Sequence, residues 1–201
     1  MIGTRLAFAA AALAVTGAIA EAEDAVERRA WDGFYAGVHA GGAVSPFRDE
    51  VYDGYYGGTA TGLIAGGQIG FNAHVVGGIV AGLEASASWD QIRGPGDEWD
   101  VAFAQGWEAA LRARLGFDHG RFMPYLAAGV AVTNAWADYG AVESYTVMGL
   151  TAGAGVAFMP GERTSAFVEV NHTDFGTRTY GYDLHLTEYA ARIGLNVQFR
   201  D

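Results

Sequence analysis

The stretch Trp31–Val44 reads WDGFYAGVHAGGAV. Every second residue, Phe34, Ala36, Val38 and Ala40, is apolar. The residues between them, Gly33, Tyr35, Gly37, His39 and Gly41, are small or polar. A period of two is the mark of a β-strand, because successive side chains point to opposite faces. Here the smooth face is apolar and the other is mostly glycine. Whether the apolar face looks into a core or out at a surrounding medium decides the fold.

The same alternation recurs down the chain. Strand-like segments are expected at about 31–43, 62–73, 77–89, 106–118, 121–137, 145–159, 163–175 and 186–199. In the third, Ile79, Leu83, Ala85, Ala87 and Trp89 oppose Val80, Gly82, Glu84, Ser86 and Ser88. In the fourth, Trp107, Leu111, Ala113, Leu115 and Phe117 oppose Glu108, Ala110, Arg112, Arg114 and Gly116. In the last, Tyr189, Ile193, Leu195, Val197 and Phe199 oppose Glu188, Arg192, Gly194, Asn196 and Gln198. A slip of one residue would exchange whole faces, so the register is specified. The links alternate too. "AHVVGG", "DHGR" and "PGER" are short, whereas 44–61, 90–105, 138–144 and 176–185 read as longer loops. Short turns at one end and long loops at the other describe an up-and-down meander, and eight antiparallel strands can close on themselves.

Composition narrows the chemistry. Of 201 residues 30 are Gly, and only 17% are charged. There is no Cys, which excludes disulfides and cysteine-ligated metal. All 12 basic residues are Arg, and the net charge of −11 argues against a nucleic-acid partner. Residues 1–20 read as a secretory signal peptide: Arg5, then the apolar run LAFAAAALAVTGAIA, ending on Ala18-Ile19-Ala20. Its removal takes away one Arg and no acid, moving the charge from −11 to −12. Residues 21–30, EAEDAVERRA, carry no apolar face and read as a periplasmic lead-in to a barrel domain over 31–199. No apolar run long enough for a membrane helix follows the signal.

Two barrels fit eight alternating strands. A soluble one buries its apolar face; a membrane one turns it outward to lipid. The aromatics discriminate. Phe34, Phe71, Phe117, Phe122, Phe158 and Phe199 share the apolar face near the short-turn end. Trp89, Trp107 and Trp136 share it near the long-loop end. Two aromatic rings at two heights are the girdles of an outer-membrane barrel. The ten residues from Trp107 to Phe117 span about 25 Å at ordinary rise and tilt, the height of a lipid-facing band. On the glycine face lie Glu84, Arg112, Arg114, Glu169, Glu188 and Arg192. These charges would be costly in lipid, but three acids and three arginines can pair across a lumen. The expected fold is an all-β, eight-stranded, antiparallel, up-and-down transmembrane barrel. Its interior should be just filled by side chains, with no open channel.

The motifs WDGFYAGVHAGG, GGQIGFN, GLEASAS, RARLGF, PYLAAGVA, VEVNHTDFG and ARIGLNVQF, in this order, resemble a known family. They are similar to the small outer-membrane proteins of alphaproteobacteria, an OmpA-like eight-stranded group often labelled "porin family" or "outer membrane protein beta-barrel domain". The resemblance covers about 31–199. It implies a Gram-negative outer-membrane location with both termini periplasmic, and a role in envelope integrity or surface interaction. It also implies that Phe199, which Arg200 and Asp201 follow, is the signal for the barrel-insertion machinery.

Other chemistry is thin. His39, His74, His119, His172 and His185 show no HExxH arrangement or close ligand spacing, so they are expected to be solvated or interfacial, with no metal or cofactor. In NHTDFG, His172 and Asp174 share the outer face near the long loops, the place where a lipid A-modifying barrel would carry a His–acid pair. No Ser sits two positions away to act as nucleophile. The long loops are acidic (Asp49, Glu50, Asp53, Asp97, Glu98, Asp100, Asp138, Glu143 and Asp183), interrupted by Arg48, Arg93 and Arg178. They read as a solvated surface, with divalent bridging to lipopolysaccharide phosphates as the alternative. Tyr52, Tyr55 and Tyr56 could form a contact surface for a partner protein. The expected protein is therefore a non-enzymatic monomer in contact with outer-membrane lipid and lipopolysaccharide. A surface adhesin is the first alternative, a lipid A-modifying enzyme the second and a soluble periplasmic barrel the third.

Overall fold

A computed structural model describes the backbone of residues 30–51, 54–93, 102–138, 142–179 and 183–199. The side chains of 47–51, 54–58, 102–105, 135–138, 142–145, 177–179 and 183–186 are outside that description, as are residues 1–29 with the expected signal peptide. Eight strands follow in order: β1 (Gly33–Val51), β2 (Gly54–Val76), β3 (Ile79–Arg93), β4 (Ala102–Phe117), β5 (Phe122–Asp138), β6 (Val142–Phe158), β7 (Thr164–Thr179) and β8 (Asp183–Phe199). Each pairs antiparallel with its sequence neighbour, and β1 pairs with β8, closing the barrel. The closing seam starts at Phe34 opposite Phe199. Among the described residues there is no helix long and apolar enough to cross a membrane; the crossing elements are strands.

The strands begin where the alternation begins but run further at the loop end. Most of the expected links 44–61, 90–105, 138–144 and 176–185 are strand. The physical reason is the ladder itself. Once β1 and β2 are in register, every second further pair adds two hydrogen bonds at small entropic cost, and a Gly- and Asp-rich sequence does not stop it. Pairing continues from Ala40↔Ala65 up to Val51↔Gly54, through Pro46. Turn-like composition was a poor guide there because tertiary pairing overrides local propensity.

The apolar face is outside. Phe34, Phe71, Phe117, Phe122, Phe158 and Phe199 are exposed, as are Trp89 and Trp107. Phe34 packs on Phe71 and Phe122 on Phe158, each with ring centroids 4.8 Å apart. The side chain of Trp136 is outside the described residues. Leu63, Ile69, Leu83, Leu111, Leu126 and Ile193 carry the outer face between these heights, each more than half exposed. So large an exposed apolar belt has no place on a protein surrounded by water.

The inward glycines have a steric role. Tyr35 of β1 lies opposite Gly70 of β2, and a Cβ on Gly70 would sit 2.7 Å from the Tyr35 ring atom Cε1. Tyr125 lies opposite Gly155 and Phe167 opposite Gly194, with the same overlap. Each large inward side chain therefore occupies space that a missing Cβ on the next strand leaves free. Gly70→Val should force Tyr35 out of place and destabilise the barrel by about 1–3 kcal/mol. A lowered urea midpoint of the folded, fast-migrating band on unboiled gels is the expected readout; an unchanged midpoint would refute the steric account.

Candidate functional site

A barrel with its apolar face outward holds its chemistry inside. The lumen is built in layers. At the short-turn end an apolar layer closes it: Trp31, Val80, Met123, Tyr125, Ala157, Met159 and Phe167. Trp31, 1% exposed, precedes β1 and lies across the barrel mouth, its indole Nε1 donating to the Gly120 carbonyl at 3.0 Å. Gly120, at φ 68°, forms the β4–β5 turn. Next to it His74 is held between two carboxylates, Nδ1 at 2.6 Å from Asp32 and Nε2 at 2.9 Å from Asp118. A second apolar layer lies toward the loop end, where Ile64, Ile92 and Phe175 fill the space among small alanines.

Between the two layers lies a charged one. Arg112 on β4 is its hub. It donates to Glu84 on β3, and its Nη1 donates to Glu169 on β7 at 2.8 Å and to Asn171 at 2.9 Å. Arg114 donates from Nη1 to Glu84 Oε2 at 3.0 Å and to the Tyr35 hydroxyl at 2.6 Å. Tyr35 in turn donates to the same Glu84 oxygen at 2.8 Å. The Arg114 guanidinium lies over the Tyr125 ring, 3.9 Å from its centroid. Arg192 on β8 donates to Glu169 Oε1 at 2.6 Å. All five ionic side chains are buried. The strands position them: Glu84↔Arg112 and Glu169↔Arg192 are register partners. Paired, hydrogen-bonded charges of this kind are tolerated at low dielectric, where a lone one would not be.

Glu188, the sixth inward charge, lies nearer the loops than this layer, opposite Thr173 in the β7–β8 ladder. There it lines, with Asp90, Glu108 and Thr173, a cavity of about 10 Å³, the space of one water molecule. Asp90 is an inward acid that the sequence reading did not place in the lumen, and Glu108, on the inner face by its alternation, was left out of the expected charge network. Asp90 was assigned to a link, yet the inward series Glu84, Ser86, Ser88 simply continues to it. Among the described residues, no cluster of three or more His, Asp or Glu side chains could hold a metal ion.

His39 is not solvated. It is buried on the inner face, with Nδ1 2.6 Å from Gln68 Oε1 and Nε2 2.8 Å from Ser88 Oγ. Gln68 donates from Nε2 to Asn196 Oδ1 at 2.6 Å, which turns its carbonyl oxygen toward the imidazole. Nδ1 then carries the proton, and Nε2 accepts from the Ser88 hydroxyl. This is the hydrogen-bond order of an activated serine. No acyl substrate fits, however, because the space beside Ser88 holds only a water. His74 is likewise engaged rather than solvated.

The NHTDFG segment does not assemble a catalytic pair. The His172 ring lies against Tyr189, centroids 4.7 Å apart. Asp174 uses Oδ1 to accept the Gly176 amide N–H at 2.8 Å, closing a tight turn at a Gly with φ 72°. Among the loop residues singled out by sequence, Arg93 is exposed at the end of β3. The side chains of Arg48, Asp49, Glu50, Tyr52, Asp53, Tyr55, Tyr56, Asp97, Glu98, Asp100, Asp138, Glu143, Arg178, Asp183 and His185 lie outside the described residues.

The charge layer makes a quantitative prediction. Glu169→Leu strands Arg192 and should cost about 3–5 kcal/mol. Replacing both, Glu169→Leu with Arg192→Leu, should cost clearly less than the single change. Urea unfolding of the unaltered, single and double forms checks it, and a double variant weaker than the single one would refute pairing as the stabilising element.

The comparisons agree with this architecture. The sequence profile of the family described as "Outer membrane protein beta-barrel domain" matches residues 8–199. The 25 kDa outer-membrane immunogenic protein of Brucella abortus is 36% identical over 103 residues, 51% of this chain and 47% of that protein. The chain thus spans about half the length of that relative. The 22 kDa outer membrane protein of Rhizobium leguminosarum is 29% identical over 183 residues, 84% of this chain and 78% of that protein. Among solved structures, the outer membrane protein OprG of Pseudomonas aeruginosa shares the fold at 15% identity and TM-score 0.52, over 85% of this chain and 98% of that one. With the profile spanning nearly all of the sequence and the closed eight-stranded barrel beneath it, the chain belongs to the outer-membrane protein beta-barrel domain family.

Proposed function

We propose that the protein is a non-enzymatic, monomeric element of the outer membrane that supports envelope integrity and presents its hairpins outward. The observation that carries this reading is the sealed lumen. A paired charge layer lies between two apolar layers, and the void beside it admits one water. Such an interior suits a stable wall component better than a passage or a reaction chamber. In this reading the exposed Phe and Trp side chains meet the two edges of the lipid, and lipopolysaccharide surrounds the upper rim. Residues 1–20 direct secretion, both termini are periplasmic, and Phe199 is read by the insertion machinery.

A second reading, a surface protein that binds a partner, is favoured by the β1–β2 ladder, which stands far above the level of Trp89. The relatives named as outer-membrane immunogenic proteins lend it support.

Two measurements test the main reading. In planar bilayers the purified barrel should give no steady conductance, whereas Trp31→Ala should raise ion leak by opening the short-turn end. A steady channel in the unaltered protein would overturn the sealed-wall reading. In cells, loss of the gene should sensitise the envelope to detergent, and Gly70→Val should complement less well than the unaltered gene.

A further inference from the structure

Seven of the eight seams are paired up to the loop end of at least one of their strands. The β6–β7 seam is not. Its ladder runs from Phe158↔Ala166 to Leu150↔Asp174. The β7 backbone still lies against Gly149, where a Cβ would meet Phe175 Cα at 2.8 Å. Beyond that, β6 continues to Val142 and β7 to Thr179 with no pairing between them among the described residues. On their other sides both strands remain paired, β6 with β5 up to Asp138↔Val142 and β7 with β8 up to Thr179↔Asp183. Two closed hairpins thus stand side by side, each with one open backbone edge.

The two edges are unlike. That of β7 carries a bulge: its register with β8 shifts between Asp174 and Thr177, and the Asp174 carboxylate accepts the Gly176 amide N–H at 2.8 Å. A bulge bends its strand and blunts it as a template. The β6 edge, Val142–Met148, reads VESYTVM and stays in unbroken register with β5. It holds no Pro, Gly or Lys, and Val142, Tyr145, Thr146 and Val147 are β-branched or aromatic strand formers. By contrast the upper part of β2, Gly54–Ala60, which rises past the end of β3 at Thr61↔Arg93, is the glycine-rich GYYGGTA.

Height puts the β6 edge in water. Met148 and Val142 are ten and sixteen residues from Phe158 at the other end of the strand. At ordinary rise and tilt that is about 25 Å, the top of the lipid-facing band, and about 40 Å. An open edge would be untenable in hydrocarbon. Here every second residue turns its N–H and C=O to the open side, a spacing that another extended backbone matches group for group. The surroundings are acidic. Residues 44–61, 94–101, 138–144 and 176–185 hold nine acids against two arginines, and Glu143 and Asp138 belong to this hairpin.

We infer that Val142–Met148 is a docking edge for an extended, basic segment of an external partner protein, which adds to β6 as a further strand. Backbone pairing holds the segment, and the acidic rim selects its charge and is screened by salt. The inference deepens the partner-binding reading and rests on the loop end lying outside the cell.

The test is amide hydrogen exchange, read residue by residue by NMR on the full-length barrel in phosphatidylcholine bilayer discs. Alone, every second amide of Val142–Met148 should exchange fast, while those between, bonded to β5, stay slow. A short capped peptide of alternating Lys and Val should slow the fast set several-fold, and less so as salt is raised. The same peptide N-methylated at every second residue, and one of alternating Glu and Val, should leave it unchanged. Slow exchange along the whole edge without peptide would overturn the open edge. A fast set that the Lys–Val peptide does not slow, or that all three peptides slow alike, would overturn the basic strand as occupant. Slowing on raising the barrel concentration alone would overturn it in favour of a second copy of this chain. The placement is read separately. The chain has no cysteine and Thr146 is exposed, so Thr146→Cys in intact cells should react with a membrane-impermeant maleimide. A folded variant that stays unlabelled would overturn the outward placement, and the external partner with it, whatever the exchange pattern.

Discussion

An eight-stranded barrel is barely wide enough for its own side chains, and that shortage of interior space governs the rest of this molecule. Every large group turned inward must be matched by an absence next to it. The absences are the glycines: Gly70 for Tyr35, Gly155 for Tyr125, Gly194 for Phe167. The shortage also keeps the charges close. Arg112 reaches Glu84 on the adjacent strand and Glu169 across the lumen with one guanidinium, because nothing wider than a side chain separates the walls. Desolvation then makes each charge depend on its neighbours, which ties β3, β4, β7 and β8 together independently of the backbone ladder.

The layers divide the labour. The middle is polar and held by geometry; the two ends are apolar and exclude water from it. Without the caps formed by Trp31 below and by Ile64, Ile92 and Phe175 above, solvent would screen the ion pairs and weaken them. The same caps account for an interior that contains a well-ordered Ser88–His39–Gln68 chain and yet offers it no substrate. Order of hydrogen bonds is not sufficient for catalysis; room for a reacting group is a separate requirement.

Much of this architecture was legible in the chain. Alternation and link lengths give the strand number, the antiparallel order and the closure, because period two is a local property. The height-sorted aromatics give the inside-out choice. What parity cannot give is pairing across the lumen. Glu84 and Glu188 share a face by parity, but only the stagger of the strands decides that Glu84 meets Arg112 while Glu188 lies nearer the loops. Asp90 was missed because it follows Trp89, where the aromatic level suggested that the strand was ending. Phe175, by contrast, simply continues the inward alternation of Glu169, Asn171 and Thr173. Trp31 was read as the start of a strand, whereas the side chain plugs the barrel before the strand begins.

The unexpected length of β1 and β2 has its own consequence. From Ala65, the register partner of Trp89, β2 rises through eleven further residues to Gly54, still paired with β1. At ordinary rise and tilt that is about 28 Å of continuous ladder. A flexible loop of the same composition would sweep a volume and surrender much of that freedom on contact. A ladder is a mast: up to Val51 and Gly54 its paired backbones are held at a fixed height and azimuth. Such an edge has surrendered its freedom before any contact is made.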